Sequence, residues 1–344
     1  MNVFMKTILR IALLSLFLSA CGGMKKADTV VLEEIEVVGN VVDQRPNYQA
    51  EVTKKFDLIH TKLDLRFDWE NQYVIGRAWL DVRPWFYATD HFEVEAKGFD
   101  ISKVQLITPE EQTDLTYQYN DLVIDINLGQ EYKKEDTLKI YIEYVAKPNE
   151  LDRIGSSAIS GAKGLYFINP LGEDASKPMQ IWTQGETESN SCWFPTLDKP
   201  NQKMTQEIFL NVDRGFTSLS NGTLVYSVEN NDDTRLDYWK QDQPHAPYLT
   251  MLAIGEFSKV EDEWREKEVS YFVEEEYEPY ARDIFGETPD MIEFFSNQLG
   301  VAYPWDKYSQ VIVRDYVSGA MENTTAVIHG EFVAQDDRTV LDRP

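Results

Sequence analysis

From Asp57 to about Phe257 apolar and polar residues alternate with a period of two, the signature of half-buried β-strands. Leu63, Leu65, Phe67 and Trp69 alternate with Lys62, Asp64, Arg66 and Asp68. After a break at Glu70-Asn71, Leu80 and Val82 alternate with Trp79, Asp81 and Arg83. Leu138, Ile140, Ile142 and Tyr144 repeat the pattern, and each set places its large apolar side chains on one face of a strand. Asn221-Gly222, between 216–220 and 223–229, carries the turn chemistry of a tight hairpin, and the apolar run from Tyr248 to Ile254 suits a strand covered on both faces. Together these segments predict a mostly β N-terminal domain, a β-sandwich or saddle over residues 48–257.

The period changes after Gly255-Glu256-Phe257. Thr288-Pro289-Asp290 reads as a helix start, with Thr288 as cap, a proline in the first turn and an acid near the positive end. Ile292, Phe295 and Leu299 recur at helical spacing until Gly300, and a shorter helix is predicted from Pro279 to Phe285, ending at Gly286. The β-branched run Val311-Ile312-Val313 reads as a buried strand. Residues 258–344 are thus expected to be the opening part, a strand, two helices and a further strand, of an α+β domain that is incomplete at Pro344.

The N-terminus changes the picture of compartment. Lys6 and Arg10 precede an apolar core, Ile11 to Leu18, too short to span a bilayer, so residues 1–20 read as a signal peptide. Leu18-Ser19-Ala20-Cys21 is a lipoprotein cleavage box, which makes Cys21 the acylated N-terminus. Residues 21–47 are a polar, acidic tether in which Val37-Val38 and Val41-Val42 add at most a short strand. The expected location is a bacterial cell envelope, with membrane contact through the N-terminal lipid only. Formal charge is −26, and removal of Lys6 and Arg10 with the signal peptide makes it −28, which argues against nucleic acid as a partner. The remaining cysteine, Cys192, has no histidine beside it and reads as a small buried residue.

Candidate chemistry gathers in two stretches. After the Val311–Val313 strand comes Gly319-Ala320-Met321-Glu322-Asn323, in which two small residues precede a carboxylate. On spacing alone a strand that stops at a glycine ahead of a surface Glu-Asn pair accounts for it. The same residues also suit an edge where a second backbone adds itself to a sheet. The other stretch is Thr183-Gln184-Gly185-Glu186, followed by Trp193-Phe194-Pro195 and Asp198-Lys199-Pro200: a rigid, aromatic-walled loop that fits either a small-ligand site or a domain corner. His60, His91, His245 and His329 are each isolated, so no helical two-histidine metal site is present in these residues.

Gly319-Ala320-Met321-Glu322-Asn323 resembles, letter for letter, the exopeptidase motif of the gluzincin aminopeptidases, the family of aminopeptidase N. Gln184 and Glu186 match that family's Thr-Gln-x-Glu element, and the Phe-Pro and Asp-x-Pro elements follow in the family's order. The resemblance runs from about Asp57 to the end and implies a β-saddle packed on the start of a thermolysin-like catalytic domain. It implies that Glu322 and Glu186 bind the α-ammonium of a peptide substrate, with Gln184 and Asn323 at the same site and Gly319, Ala320 and Met321 lining the peptide backbone. It further implies one catalytic zinc, whose histidine ligands and base are expected beyond residue 344. The stretch up to residue 344 is therefore expected to bind no zinc and to be inactive by itself. Two other readings stay open, a non-catalytic relative that binds or scaffolds peptides and a carbohydrate-binding sandwich with exposed tryptophans.

Overall fold

A computed structural model describes residues 53–152 and 155–342. The segments expected to be a signal peptide and a tether, with Cys21 and the short strand expected near Val37–Val42, lie outside the described residues. The period-two segments form the sheets expected of them. Eight strands make the largest sheet, in the order Thr223–Glu229, Thr234–His245, Met204–Asp213, Phe56–Asp68, Tyr73–Pro84, Leu138–Ala146, Phe99–Ile107 and Gln112–Asp114. All neighbours are antiparallel except Phe56–Asp68 with Met204–Asp213. Leu63, Leu65, Leu80, Val82, Ile140 and Ile142 point to one face and are buried there. A three-stranded sheet, Thr89–Glu95, Val123–Tyr132 and Tyr117–Tyr119, and a four-stranded one, Thr217–Ser220, Leu252–Gly255, Gln180–Thr183 and Leu165–Ile168, complete the β-rich part.

Residues 258–330 build the fourth sheet, a mixed one in the order Ser258–Trp264, Lys267–Val273, Lys307–Val313, Ala326–Gly330, Ala320–Met321. Its middle strand is parallel to both neighbours. Strands so placed are covered on both faces, and the alternation there separates two cores. Val311 and Val313 join the large cluster that contains Leu63 and Ile142, while Ile312 joins a smaller one with Tyr271, Phe285 and Ile292. Helix α1 (Ala281–Phe285), preceded by a 3-10 turn from Glu275 to Tyr280, and helix α2 (Thr288–Leu299) supply that second core.

Several local expectations fail, some for tertiary reasons and some for local ones. Asn221-Gly222 is not a hairpin: Thr217–Ser220 pairs within the four-stranded sheet and Thr223–Glu229 within the eight-stranded one. The pair is instead a buried corner. Asn221 Nδ2 donates to the carbonyls of Leu249 (2.9 Å) and Thr324 (2.6 Å), and Gly222 N donates to Thr325 Oγ1 at 2.7 Å. Gly222 sits at φ +72°, where a Cβ would meet the Lys240 carbonyl oxygen at 1.8 Å. Only Leu252–Gly255 of the apolar run is strand, because Pro247 opens a 3-10 turn that ends at Leu249.

Thr288 does not cap α2. It is the first helical residue, and its hydroxyl donates to Gln310 Oε1 at 2.7 Å, across to the sheet. Of the helical repeat only Ile292 is buried; Phe295 and Leu299, with Met291 and Phe294, are exposed, because no described residue packs over that face. The part that begins at residue 258 also opens with two strands rather than one. Ser258–Trp264 and Lys267–Val273 are joined through Arg265 and Glu266, both at positive φ, a turn conformation that these residue types do not announce.

Candidate functional site

The site is built where the four-stranded sheet meets the edge of the mixed sheet. Gln180–Thr183, buried along its whole length, delivers Gln184, Gly185 and Glu186. The chain must pass Tyr248 closely there, since a Cβ on Gly185 would lie 2.1 Å from the Tyr248 carbonyl oxygen. The loop beyond is fastened from inside. Asn190 Nδ2 donates to Pro247 O (2.7 Å) and Thr250 O (3.0 Å), and Trp193 Nε1 donates to Asn190 Oδ1 at 2.8 Å. Asp198 Oδ2 accepts from the Ser191 backbone N and hydroxyl, both at 2.9 Å, while its Oδ1 has no hydrogen-bond partner. Burial pushes the Asp198 carboxyl up to about 6, the Ser191 hydrogen bonds and the charge of Lys97 only partly offsetting it. Cys192 is fully buried, with Sγ 3.6 Å from the Ala162 carbonyl oxygen.

The other half arrives from the Lys307–Val313 strand. Arg314 N donates to Gln180 Oε1 and Trp182 Nε1 donates to Arg314 O, both at 2.9 Å. The Arg314 guanidinium makes a two-point pair with Glu274 at 2.6 and 2.7 Å. The Val317 carbonyl accepts from Ser160 N (2.9 Å) and Oγ (3.1 Å), and Ser318 Oγ donates to Ala158 O at 3.0 Å. The segment ahead of Gly319 is therefore pinned to the loop that precedes Gln184.

Ala320–Met321 is a two-residue edge strand, paired only with His329 and Ile328. Its outer side belongs to no ladder among the described residues. Ala320 and Gly319 are exposed, and a Cβ on Gly319 would meet nothing within 4 Å. Met321 is buried and turns its Sδ to Gln184 Nε2 at 3.4 Å; Tyr316 donates its phenolic hydrogen to Gln184 Oε1. Glu186 lies two residues past Gln184 and Glu322 one past Met321, so this contact joins the two halves next to both carboxylates. Each carboxylate is exposed, and both charges act on the same two phenols, Tyr248 and Tyr316. Burial chiefly, with those charges adding to it, raises both phenols above their ordinary range. Among the described residues no cation or donor is paired with Glu186 or Glu322. Asn323 is buried with neither carboxamide atom hydrogen-bonded.

Tyr316, Tyr248 and Asn221 take no part in the motifs that marked the site. Tyr316 lies three residues before Gly319, Tyr248 opens the apolar run and Asn221 belongs to the turn signal, but none of these patterns places them beside the two motifs. His329 is opposite Ala320 but turned inward; burial pushes it down to about 4, its Nε2 is 3.2 Å from Gln310 Nε2, and it is neutral at pH 7. His60 contacts Thr205 and Glu207, His91 contacts Asp125, and His245 contacts Gln206. Among the described residues no group of three or more His, Cys, Asp or Glu side chains is placed so that it could hold a metal ion.

Residues 48–249 match the family model described as the peptidase M1 N-terminal domain, and residues 284–341 match the peptidase family M1 domain. The chain belongs to peptidase family M1. Rat glutamyl aminopeptidase is 23% identical to this M1 chain over 208 residues, covering 58% of the chain and 22% of the relative. Aminopeptidase A of Gloydius brevicauda is 21% identical over 278 residues, 79% of the chain and 28% of the relative. Transcription initiation factor TFIID subunit 2 of Danio rerio is 24% identical over 221 residues, 61% of the chain and 17% of the relative. The M1 chain thus spans between 17% and 28% of the length of these three curated relatives.

Proposed function

We propose that this M1 chain is the substrate-anchoring part of an exported, lipid-tethered zinc aminopeptidase of a bacterial cell envelope. The observation that carries the reading is the pair of exposed carboxylates, Glu186 and Glu322, that act on the same two phenols beside an unpaired strand edge. A peptide α-ammonium, with an ordinary pKa of about 7.7–8.0, carries a positive charge at neutral pH for the most part and is attracted by the two exposed carboxylates. The peptide backbone that follows the ammonium adds along the outer side of Ala320–Met321, where Gly319 leaves room. Fixing the charged end in this way counts residues from the N-terminus and presents the first peptide bond, so these residues set where the chain is cut. The zinc, which would polarise the carbonyl and activate water, is assigned to chain beyond residue 344, together with its ligands and the base.

Glu322→Gln in the whole protein tests this. Hydrolysis of an aminoacyl dye is expected to fall by orders of magnitude in kcat/KM, and an unchanged rate removes Glu322 from the site. The relative named as a transcription initiation factor subunit favours a second reading, a non-catalytic peptide-binding or scaffolding module. A protein of that kind binds a free-amine peptide and leaves it intact at every zinc concentration.

A further inference from the structure

Between the strand Tyr73–Pro84 of the eight-stranded sheet and Thr89–Glu95 of the three-stranded one, the chain turns through Trp85, Phe86, Tyr87 and Ala88. The three rings are 48%, 70% and 76% exposed. Phe86 and Tyr87 lie edge to face, with centroids 4.9 Å apart, and neither joins the packed cores. A tight connection between two sheets needs turn chemistry, for which Gly, Asn, Asp and Ser suffice. Three successive aromatic rings held in water are unfavourable for the isolated fold and mark a contact surface.

The position of the tip indicates what it touches. Trp85 N donates to Lys55 O at 2.7 Å, so the loop stands beside the first described residues, where the chain arrives from Cys21. Three cations around it share two carboxylates. Lys54 and Arg83 meet Asp57 at 2.7 and 2.8 Å, Lys55 meets Glu93 at 2.9 Å, and the Lys54 ammonium also lies 4.3 Å over the Trp85 ring. A chain of formal charge −26 therefore offers, at this corner, ion pairs without an excess of carboxylates, beside a tip of Trp, Phe and Tyr. Those side chains suit the membrane–water interface, where an apolar body and a polar rim are both accommodated.

We propose that Trp85, Phe86 and Tyr87 insert into the interfacial region of the membrane that holds the protein, as a second contact beside the lipid on Cys21. The proposal rests on the lipoprotein reading for its first contact. From Cys21 to the first described residue, Thr53, the chain can span at most about 110 Å in any conformation, so the tether keeps the fold within reach of the same bilayer. The same tether holds the tip at an effective concentration on the order of millimolar, so a contact too weak to measure in the untethered protein suffices to orient it. The aromatic loop thus fixes which face of the fold looks down at the membrane.

The test uses the full acylated chain in phosphatidylcholine vesicles whose acyl chains carry bromine near the headgroup end. Trp85 is one of eight tryptophans, and its emission is isolated as the difference between the native chain and Trp85→Phe. Bromine is expected to quench that difference at least twofold, and Phe86→Ser with Tyr87→Ser is expected to abolish the quenching. Equal emission in brominated and plain vesicles overturns the proposal, and is also the result if a protein partner or the chain's own first fifty residues cover the rings. Cys21→Ser separates the two readings. Its release from the vesicles supports the lipid anchor whatever Trp85 reports. If it stays bound, and leaves only when Phe86 and Tyr87 are also replaced, the lipid reading falls and the aromatic contact stands.

Discussion

The Tyr316 hydroxyl donates to Gln184 Oε1, and Gln184 passes the connection on through Nε2 to Met321 Sδ, 3.4 Å away. This short relay joins segments 132 residues apart and sets the spacing of Glu186 and Glu322. Gln184 is 1% exposed, so water cannot replace a partner that is removed.

Tyr316→Phe deletes one hydroxyl and leaves the Gln184 carbonyl oxygen buried without its donor. A loss of about 1–3 kcal/mol in unfolding free energy is expected, measurable by urea denaturation. In the whole protein the larger effect is expected on KM for free-amine peptides, since Glu186 loses the anchor that positions it. A stability loss with unaltered kinetics would confine Tyr316 to a structural role.

The two glycines of the site separate fold from binding. Gly319→Ala places its methyl in open space at an ordinary φ, so unfolding is expected to change by no more than about 0.5 kcal/mol. Binding of a peptide along the Ala320–Met321 edge is expected to weaken, because the methyl stands on the approach path. Gly185→Ala drives its Cβ against the Tyr248 backbone carbonyl at 2.1 Å and is expected to cost more than about 2 kcal/mol. Thermal melts of the two variants, beside calorimetric titration with a free-amine peptide, check the contrast.

These pairings also show what the sequence could not disclose. Alternation was readable wherever one sheet face is buried, as for Leu63 and Leu65 or Ile140 and Ile142, because burial and period have the same cause. The two carboxylate-bearing stretches stand out in the sequence because the residues of each are contiguous. Asn221-Gly222 misled because its local hairpin preference is outweighed by four hydrogen bonds to Leu249, Thr324, Thr325 and Met251, partners 28 to 103 residues away. Thr288 gave up its capping role for Gln310 in the same way. The Tyr316–Gln184 contact has no local signature at all, since a phenol three residues before a glycine is compatible with many environments.

Asp198 gives the loop between Glu186 and Pro200 a pH dependence of its own. Burial raises its carboxyl from the ordinary 3.8 to about 6 in the fold. Between those values the folded state binds the proton that the unfolded state has released, so stability falls as pH rises through that window. The cost is fully present above about pH 6. Asp198→Asn keeps an acceptor for Ser191 and carries no charge, so the fall from pH 4 to 6 is expected to flatten. Asp198→Ala leaves the Ser191 donors unmatched and is expected to destabilise by about 1–3 kcal/mol at all pH values. Urea midpoints measured at pH 4, 5, 6 and 7 distinguish the two.

Lys307 produces the opposite slope at higher pH. Its ammonium is buried between the sheets, donating to Ser220 O at 3.0 Å, Thr325 O at 3.1 Å and Thr325 Oγ1 at 3.3 Å, and lies 5.5 Å from the Trp239 ring. Desolvation pushes it down from 10.5 to about 7. Over that interval the unfolded chain holds a proton that the folded chain has lost, so stability rises with pH, by at most about 1.4 kcal/mol per pH unit. Below about pH 7 the cost of the buried charge is fully present. Lys307→Met fills the same space without a charge and is expected to remove this rise. It also unties Thr325 from Ser220, the bond that holds the segment after Asn323 against the corner at Asn221. Chemical denaturation from pH 7 to 10 of the native chain and the variant checks the sign, and a native curve that stays flat over this range would mean that the three carbonyl and hydroxyl acceptors hold the ammonium charged in the fold.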